Sequence, residues 1–258
     1  MTTNFNFTLA FLSLVAGFLP ALVWLWFWLK EDRERPEPKL MILKTFIAGG
    51  LAVVVAFVVQ QATLTALPKF GLNPDLILSQ IGQSSFLWSS FGLLLGWAFI
   101  EELVKYLAAS FSAFHNKSYD EPVDAMIYII VAAIGFAAVE NTLFLISAIT
   151  SGEATLGFLL VGNMRFLGAT VVHIVSSAFV GGFVAIAYYL PFLKRSVALV
   201  IGLILASVLH AIFNFFIINS NGFDMLKIFV GLWLLAIIVI YIFERVKLIM
   251  CNRDLINN

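Results

Sequence analysis

The chain has 258 residues, 62% of them hydrophobic and 12% charged, with a mean hydropathy of +1.01. Soluble domains run near ~45–50% apolar and ~25% charged, so these values exclude a globular domain with an ordinary core and imply a polytopic membrane protein. Fifteen basic and fifteen acidic residues cancel, which argues against a nucleic-acid partner, and the lone Cys251 excludes an intrachain disulfide or a cysteine-rich metal site.

A helix needs about 20 apolar residues to cross ~30 Å of hydrocarbon. Seven runs qualify, at about 6–29, 41–66, 86–113, 123–149, 163–190, 196–218 and 225–249. No basic region precedes the first run, which is also too long for a signal-peptide core, so it reads as a retained helix. Residues 30–39, KEDRERPEPK, form a charged linker whose two prolines oppose helix continuation. The stretch from Leu64 to Ser84, with Pro68, Gly71 and Pro74, reads as an amphipathic or re-entrant piece.

The third run carries Glu101-Glu102-Leu103-Val104-Lys105. A loop with His115, Asp120 and Glu121 follows, read as solvated, and Asp124 at the next helix start reads as a cap or anchor. The fourth run contains Phe136, Glu140 and Asn141. Residues 155–162 either begin the fifth run or form a short element, which leaves room for an eighth span. Arg165 and His173 lie on the fifth run, and His210 and Asn214 on the sixth. The expected fold is all-α: a polytopic transmembrane helix bundle of seven spans, or eight. It forms a single integral membrane domain over 1–258 with a catalytic core at about 86–218.

Loop charge sets orientation. Ten bases gather on one side (Lys30, Arg33, Arg35, Lys39, Lys117, Lys194, Arg195, Arg245, Lys247 and Arg253) and Lys69 alone on the other. The positive-inside rule then puts the N-terminus outside and the C-terminus in the cytoplasm of a multi-pass cell-membrane protein.

Ionisable groups inside a span cost ~2.5–3.5 kcal/mol each on insertion scales, so their placement is informative. At ~1.5 Å per residue, Glu140, His173, His210 and Glu102 lie about 14, 15, 12 and 13 Å below the outer surface. Four helices thus deliver acids and histidines to one level. Glu101 and Glu102 are i,i+4 and i,i+3 from Lys105, so either acid can pair with it; only one need face the bundle centre, and Glu102 is favoured slightly over Glu101 as the catalytic or ligating one. His210 and Asn214 share a face. Arg165, two turns above His173, either snorkels outward or pairs with a site carboxylate. One such patch alone would be equally consistent with a structural ion pair or interhelical glue. Ser176 and Ser177 lack the nucleophile elbow of a serine hydrolase.

Two carboxylates, two histidines and an amide suit peptide-bond hydrolysis by activated water. A buried glutamate takes a proton from water and passes it to the leaving amine, and Asn214 with a histidine stabilises the oxyanion. Zinc held through Glu102, Glu140, His173 and His210 is an alternative that the residues leave equally open, although no His-Glu-x-x-His motif is present. A proton-coupled transporter using the same groups as a relay is the competing class. It is disfavoured by the absence of an internal repeat and by the apolar stretches Met126 to Ala133 and Val197 to Val208.

The ordered set Glu-Glu-x-x-Lys at 101–105, Phe-x-x-x-Glu at 136–140, His173 and His-x-x-x-Asn at 210–214 resembles the PrsW family of intramembrane proteases, related to the CAAX prenyl endopeptidase and bacteriocin-processing superfamily. The resemblance spans about residues 98–216. It implies an active site of Glu101, Glu102, Glu140, His173, His210 and Asn214. It also implies a single-span membrane substrate such as an anti-sigma factor, cut near the outer face to start regulated proteolysis under envelope stress. Related sequences often end the last motif in Asp; Asn214 departs from this and fits an orienting or oxyanion role.

Overall fold

A computed structural model describes residues 7–31, 35–81, 88–150, 168–220 and 223–256. Eight helices account for most of them: α1 Phe7–Glu31, α2 Lys39–Ala66, α3 Pro74–Gln80, α4 Trp88–Ala109, α5 Pro122–Thr150, α6 Thr170–Ile186, α7 Phe192–Asn219 and α8 Phe223–Ile256. There is no strand among the described residues.

Among the described residues, five helices are long and apolar enough to cross a membrane: Phe7–Glu31, Lys39–Phe70, Pro122–Ala148, Phe192–Asn219 and Asp224–Ile249. This is fewer than the seven expected runs, for identifiable reasons. α4 has 22 residues but carries Glu101, Glu102 and Lys105. α6 has 17 residues, because the start of the expected fifth run lies outside the described residues. Residues 155–162, and with them the question of an eighth element, also lie outside them. The expected amphipathic piece after α2 is a 3₁₀ turn at Leu67–Phe70 followed by α3, where the Asn73 side chain accepts hydrogen bonds from the backbone N–H groups of Asp75 and Leu76 at 3.0 and 3.3 Å.

α5 is the axis of the bundle. It packs against α1, α2 and α6, and also touches α4 and α8. Every side chain from Ala125 to Ala138 is at most 1% exposed. A helix apolar on all sides belongs at a protein interior, and small residues let neighbouring backbones approach. The closest approach lies between α2 and α5. A Cβ on Gly49 would collide with the Ala132 carbonyl, and one on Gly135 with the Phe46 carbonyl. Gly135→Ala is therefore expected to force the helices apart and destabilise the protein by ~1–3 kcal/mol. A thermal melt in nanodiscs matching wild type would contradict this packing.

One end of the bundle gathers the loops on the base-rich side. Arg35 Nη1 pairs with Glu121 Oε1 at 2.6 Å. Tyr128 Oη donates to Glu37, Lys247 Nζ donates to the Glu31 carbonyl at 2.7 Å, and Tyr188 Oη donates to the Tyr119 carbonyl at 3.1 Å. Asp124 Oδ2 accepts from the backbone N–H of Asp120 and Glu121 at 2.9 and 2.7 Å, an anchoring cap for α5. Glu121 is therefore not the freely solvated acid that its loop position suggested.

Candidate active site

α4, α5, α6 and α7 each contribute side chains to one continuous polar cluster. At its centre is Glu102, whose side chain is wholly buried. Its Oε1 accepts from Lys105 Nζ at 2.7 Å, Ser176 Oγ at 2.8 Å and His210 Nδ1 at 2.9 Å. Its Oε2 accepts from Ser177 Oγ at 2.6 Å. A carboxylate offers about four lone-pair sites, so these four donors use its capacity. The Lys105 ammonium is equally enclosed. It reaches His173 Nδ1 at 2.8 Å and lies 4.8 Å from the centroid of the Phe136 ring, whose face stabilises the cation.

The partners assign the tautomers. An ammonium has only donors, so His173 Nδ1 accepts from Lys105, and Nε2 carries the proton that it donates to Glu140 Oε2 at 2.8 Å. At His210 the carboxylate of Glu102 is only an acceptor, so Nδ1 carries a proton, and in the neutral ring Nε2 then holds the lone pair. The two rings pack edge to face, 4.9 Å between centroids.

Glu101 is built differently from its neighbour. Its Oε1 accepts from Gln60 Nε2 of α2 at 3.0 Å. Its Oε2 is buried with no hydrogen-bond partner and lies 3.7 Å from His210 Nε2, too far for a direct bond. The Glu101 and Glu140 side chains are 11% and 18% exposed, against 0–3% for Glu102, Lys105, His173 and His210. Glu101 and Glu140 are thus the least enclosed ionisable groups of the cluster.

A ligand atom from each of Glu101, His173 and His210 falls within 4.8 Å of the others. Two nitrogens and a carboxylate oxygen are donors that suit zinc, and the orphaned Glu101 oxygen is the kind of atom that a cation would satisfy. This set differs from the expected one. Glu101 rather than Glu102 lies within reach of the two histidines, and the nitrogens of His173 already face Lys105 and Glu140. Glu140 is absent from the set and instead bonds His173.

The structure thus brings together Glu101, Glu102, Lys105, Glu140, His173 and His210. Asn214 is half-buried one turn beyond His210 and makes no hydrogen bond among the described residues. Arg165 lies outside them. Sequence reasoning missed Gln60, Ser176 and Ser177. The serines stand i+3 and i+4 from His173, which was the available signal for a shared neighbourhood; Gln60, beside Gln61 near the polar end of α2, carried no such signal.

A profile of the "PrsW family intramembrane metalloprotease" matches residues 37–242. Three proteins named Protease PrsW illustrate the similarity. That of Oceanobacillus iheyensis is 27% identical over 87% of this chain and 92% of its own length. That of Shouchella clausii is 27% identical over 86% and 93%, and that of Bacillus subtilis 25% over 86% and 91%. No solved structure matches the chain. The chain therefore belongs to the PrsW family of intramembrane proteases and is a membrane-integral peptide hydrolase.

Proposed function

We propose that the protein cuts a single-span membrane protein, of the anti-sigma-factor type, near its outer face, using water activated at Glu101. The observation that carries this reading is the unpartnered Glu101 Oε2 set against the His210 Nε2 lone pair, inside a cluster drawn from four helices. Glu101 accepts the proton of the attacking water. It then passes that proton to the leaving amine; His173 Nε2–H, held by Glu140, is a hydrogen-bond donor beside it, and the uncommitted Asn214 amide is a donor for the carbonyl oxygen. Glu101 and His210 would hold a zinc ion, joined by His173 only if its Nε2 gave up its proton and its bond to Glu140; such an ion would supply Lewis-acid polarisation and a more acidic water.

In this reading α4 and α6 also cross the bilayer, giving seven spans in one domain with a catalytic core at about 86–218. The contacts joining Arg35 to Glu121, Tyr188 to Tyr119 and Lys247 to Glu31 support that arrangement. They gather the ends of α1, α4, α6 and α8 at one end of the bundle, as strict alternation requires. The bases at that end make it cytoplasmic, with the N-terminus outside and the C-terminus inside. The buried apolar stretch of α5 below the cluster supports a site open only outward and disfavours a proton-conducting transporter.

The test is co-expression with candidate single-span membrane proteins, comparing wild type with Glu140→Ala and His173→Ala. Cleavage by wild type alone, with both variants folded and inserted, is the expected result. Retained cleavage by both variants sinks the reading, and ion flux in proteoliposomes without peptidase activity replaces it with the transporter.

A further inference from the structure

Glu102 is the most heavily hydrogen-bonded group in the cluster, and it is also the least available to a substrate. Ser176, Ser177, Lys105 and His210 occupy its two oxygens, and Ser176 and Ser177 are themselves 0% exposed. An oxygen already accepting three hydrogen bonds is a poor base and a poor ligand. A carboxylate held at four points is instead a rigid acceptor, and the group it orients toward Glu101 is His210. The serines are adjacent on α6, where successive side chains point about 100° apart. They nonetheless reach different oxygens of the same carboxylate, because Glu102 lies across the face between them. The single Ser176 proton is shared between Glu102 and the Val172 carbonyl, which lies 2.7 Å away, so the Ser177 hydroxyl, 2.6 Å from Glu102 Oε2, is the firmer half of the pair.

We propose that Ser176 and Ser177 are positioning residues: with Lys105 they clamp Glu102, and Glu102 holds His210 with Nδ1 protonated and Nε2 open toward Glu101. Glu102 is thereby a positioning residue too. The clamp also separates the two histidines into opposite tautomers. Lys105 makes Nδ1 of His173 the acceptor, while Glu102 makes Nδ1 of His210 the donor. The histidines are thus not interchangeable, and only His210 presents a bare nitrogen to Glu101. Partners that fix a histidine's tautomer and ring orientation from behind typically change metal affinity or activity by ~10–100-fold when removed.

The catalytic consequence rests on the hydrolase reading proposed above, but the tautomer does not, so the test separates the two. The chain contains three histidines, His115, His173 and His210. Selective 15N labelling of histidine in the full chain in nanodiscs therefore gives an assignable spectrum. Wild type is expected to show His210 protonated at Nδ1 and His173 protonated at Nε2. Ser177→Ala and the double variant S176A/S177A are expected to mix the His210 tautomers and to lower kcat ~10–100-fold with KM unchanged. A wild-type His210 protonated at Nε2 overturns the proposal outright, even if every variant fails to fold. So does a double variant with an unchanged His210 spectrum and unchanged kcat. The expected wild-type tautomers in a protein that cleaves no peptide leave the clamp standing and overturn the hydrolase mechanism instead.

Discussion

Glu101→Gln will lower peptide cleavage by ~10²–10⁴-fold, the range supplied by a positioned general base, while the protein still folds and inserts. The amide keeps the shape of the side chain and its bond to Gln60, but it loses the basic oxygen facing His210. The loss should fall on kcat, because a general base acts in the transition state and the isosteric amide leaves the packing unchanged. The measurement is cleavage of a single-span reporter by co-expressed variant and wild type, with membrane insertion checked by fractionation. A variant retaining a tenth or more of wild-type cleavage removes Glu101 from the base role. The same substitution should weaken zinc retention, which equilibrium dialysis reads without reference to activity. Glu102→Gln offers the instructive comparison, because that carboxylate has no free oxygen to lose.

Lys105→Met will destabilise the protein by ~3–5 kcal/mol, since it leaves the carboxylate of Glu102 buried without its cation. No water-exposed route relieves the charge: both side chains are 0% exposed. Methionine fills the volume against the Phe136 ring, so the loss is electrostatic rather than a cavity effect. The expected melting temperature in nanodiscs falls on the order of 10 °C. The double variant Lys105→Met/Glu102→Gln should recover much of it, because removing both charges removes the uncompensated one. If Lys105→Met melts with wild type, the ion pair is not a stabilising element. If the double variant is less stable than the single, the hydrogen-bond network outweighs the charge balance.

The shared level of Glu102, Glu140, His173 and His210 was legible because a helix converts residue number to depth at a fixed rise. Hydrogen bonds now link those residues across four helices. The choice between Glu101 and Glu102 was not legible. The two differ by about 100° around α4, and only the hydroxyls of Ser176 and Ser177 on another helix decide which is enclosed. Serine is too common a residue to mark such a role in advance. Gln60 escaped notice because its contact with Glu101 depends on how α2 lies beside α4. The loop after α4 read as solvated, yet Glu121 in it pairs with Arg35 of the charged linker, a contact that depends on loops meeting in space. Composition identified apolar helices but not which faces meet lipid. In a chain this hydrophobic, small residues on α5 mark the interior better than apolar ones do.

The enclosure of α5 also bears on assembly. During synthesis α1, α2 and α4 precede it, whereas α6 to α8 follow, so one flank of α5 waits for partners not yet made. Its side chains are as apolar as the acyl chains that would cover that flank, and waiting costs little. Once α6 arrives, alanine and glycine surfaces exchange lipid for close helix contact, gaining packing and releasing lipid. A larger side chain at Gly181 of α6, where a Cβ would meet Met126 of α5, would leave the inserted helix content in lipid and spoil only the later step. Such variants should accumulate in the membrane as inserted but unassembled chains, prey to quality-control proteases rather than lost at insertion.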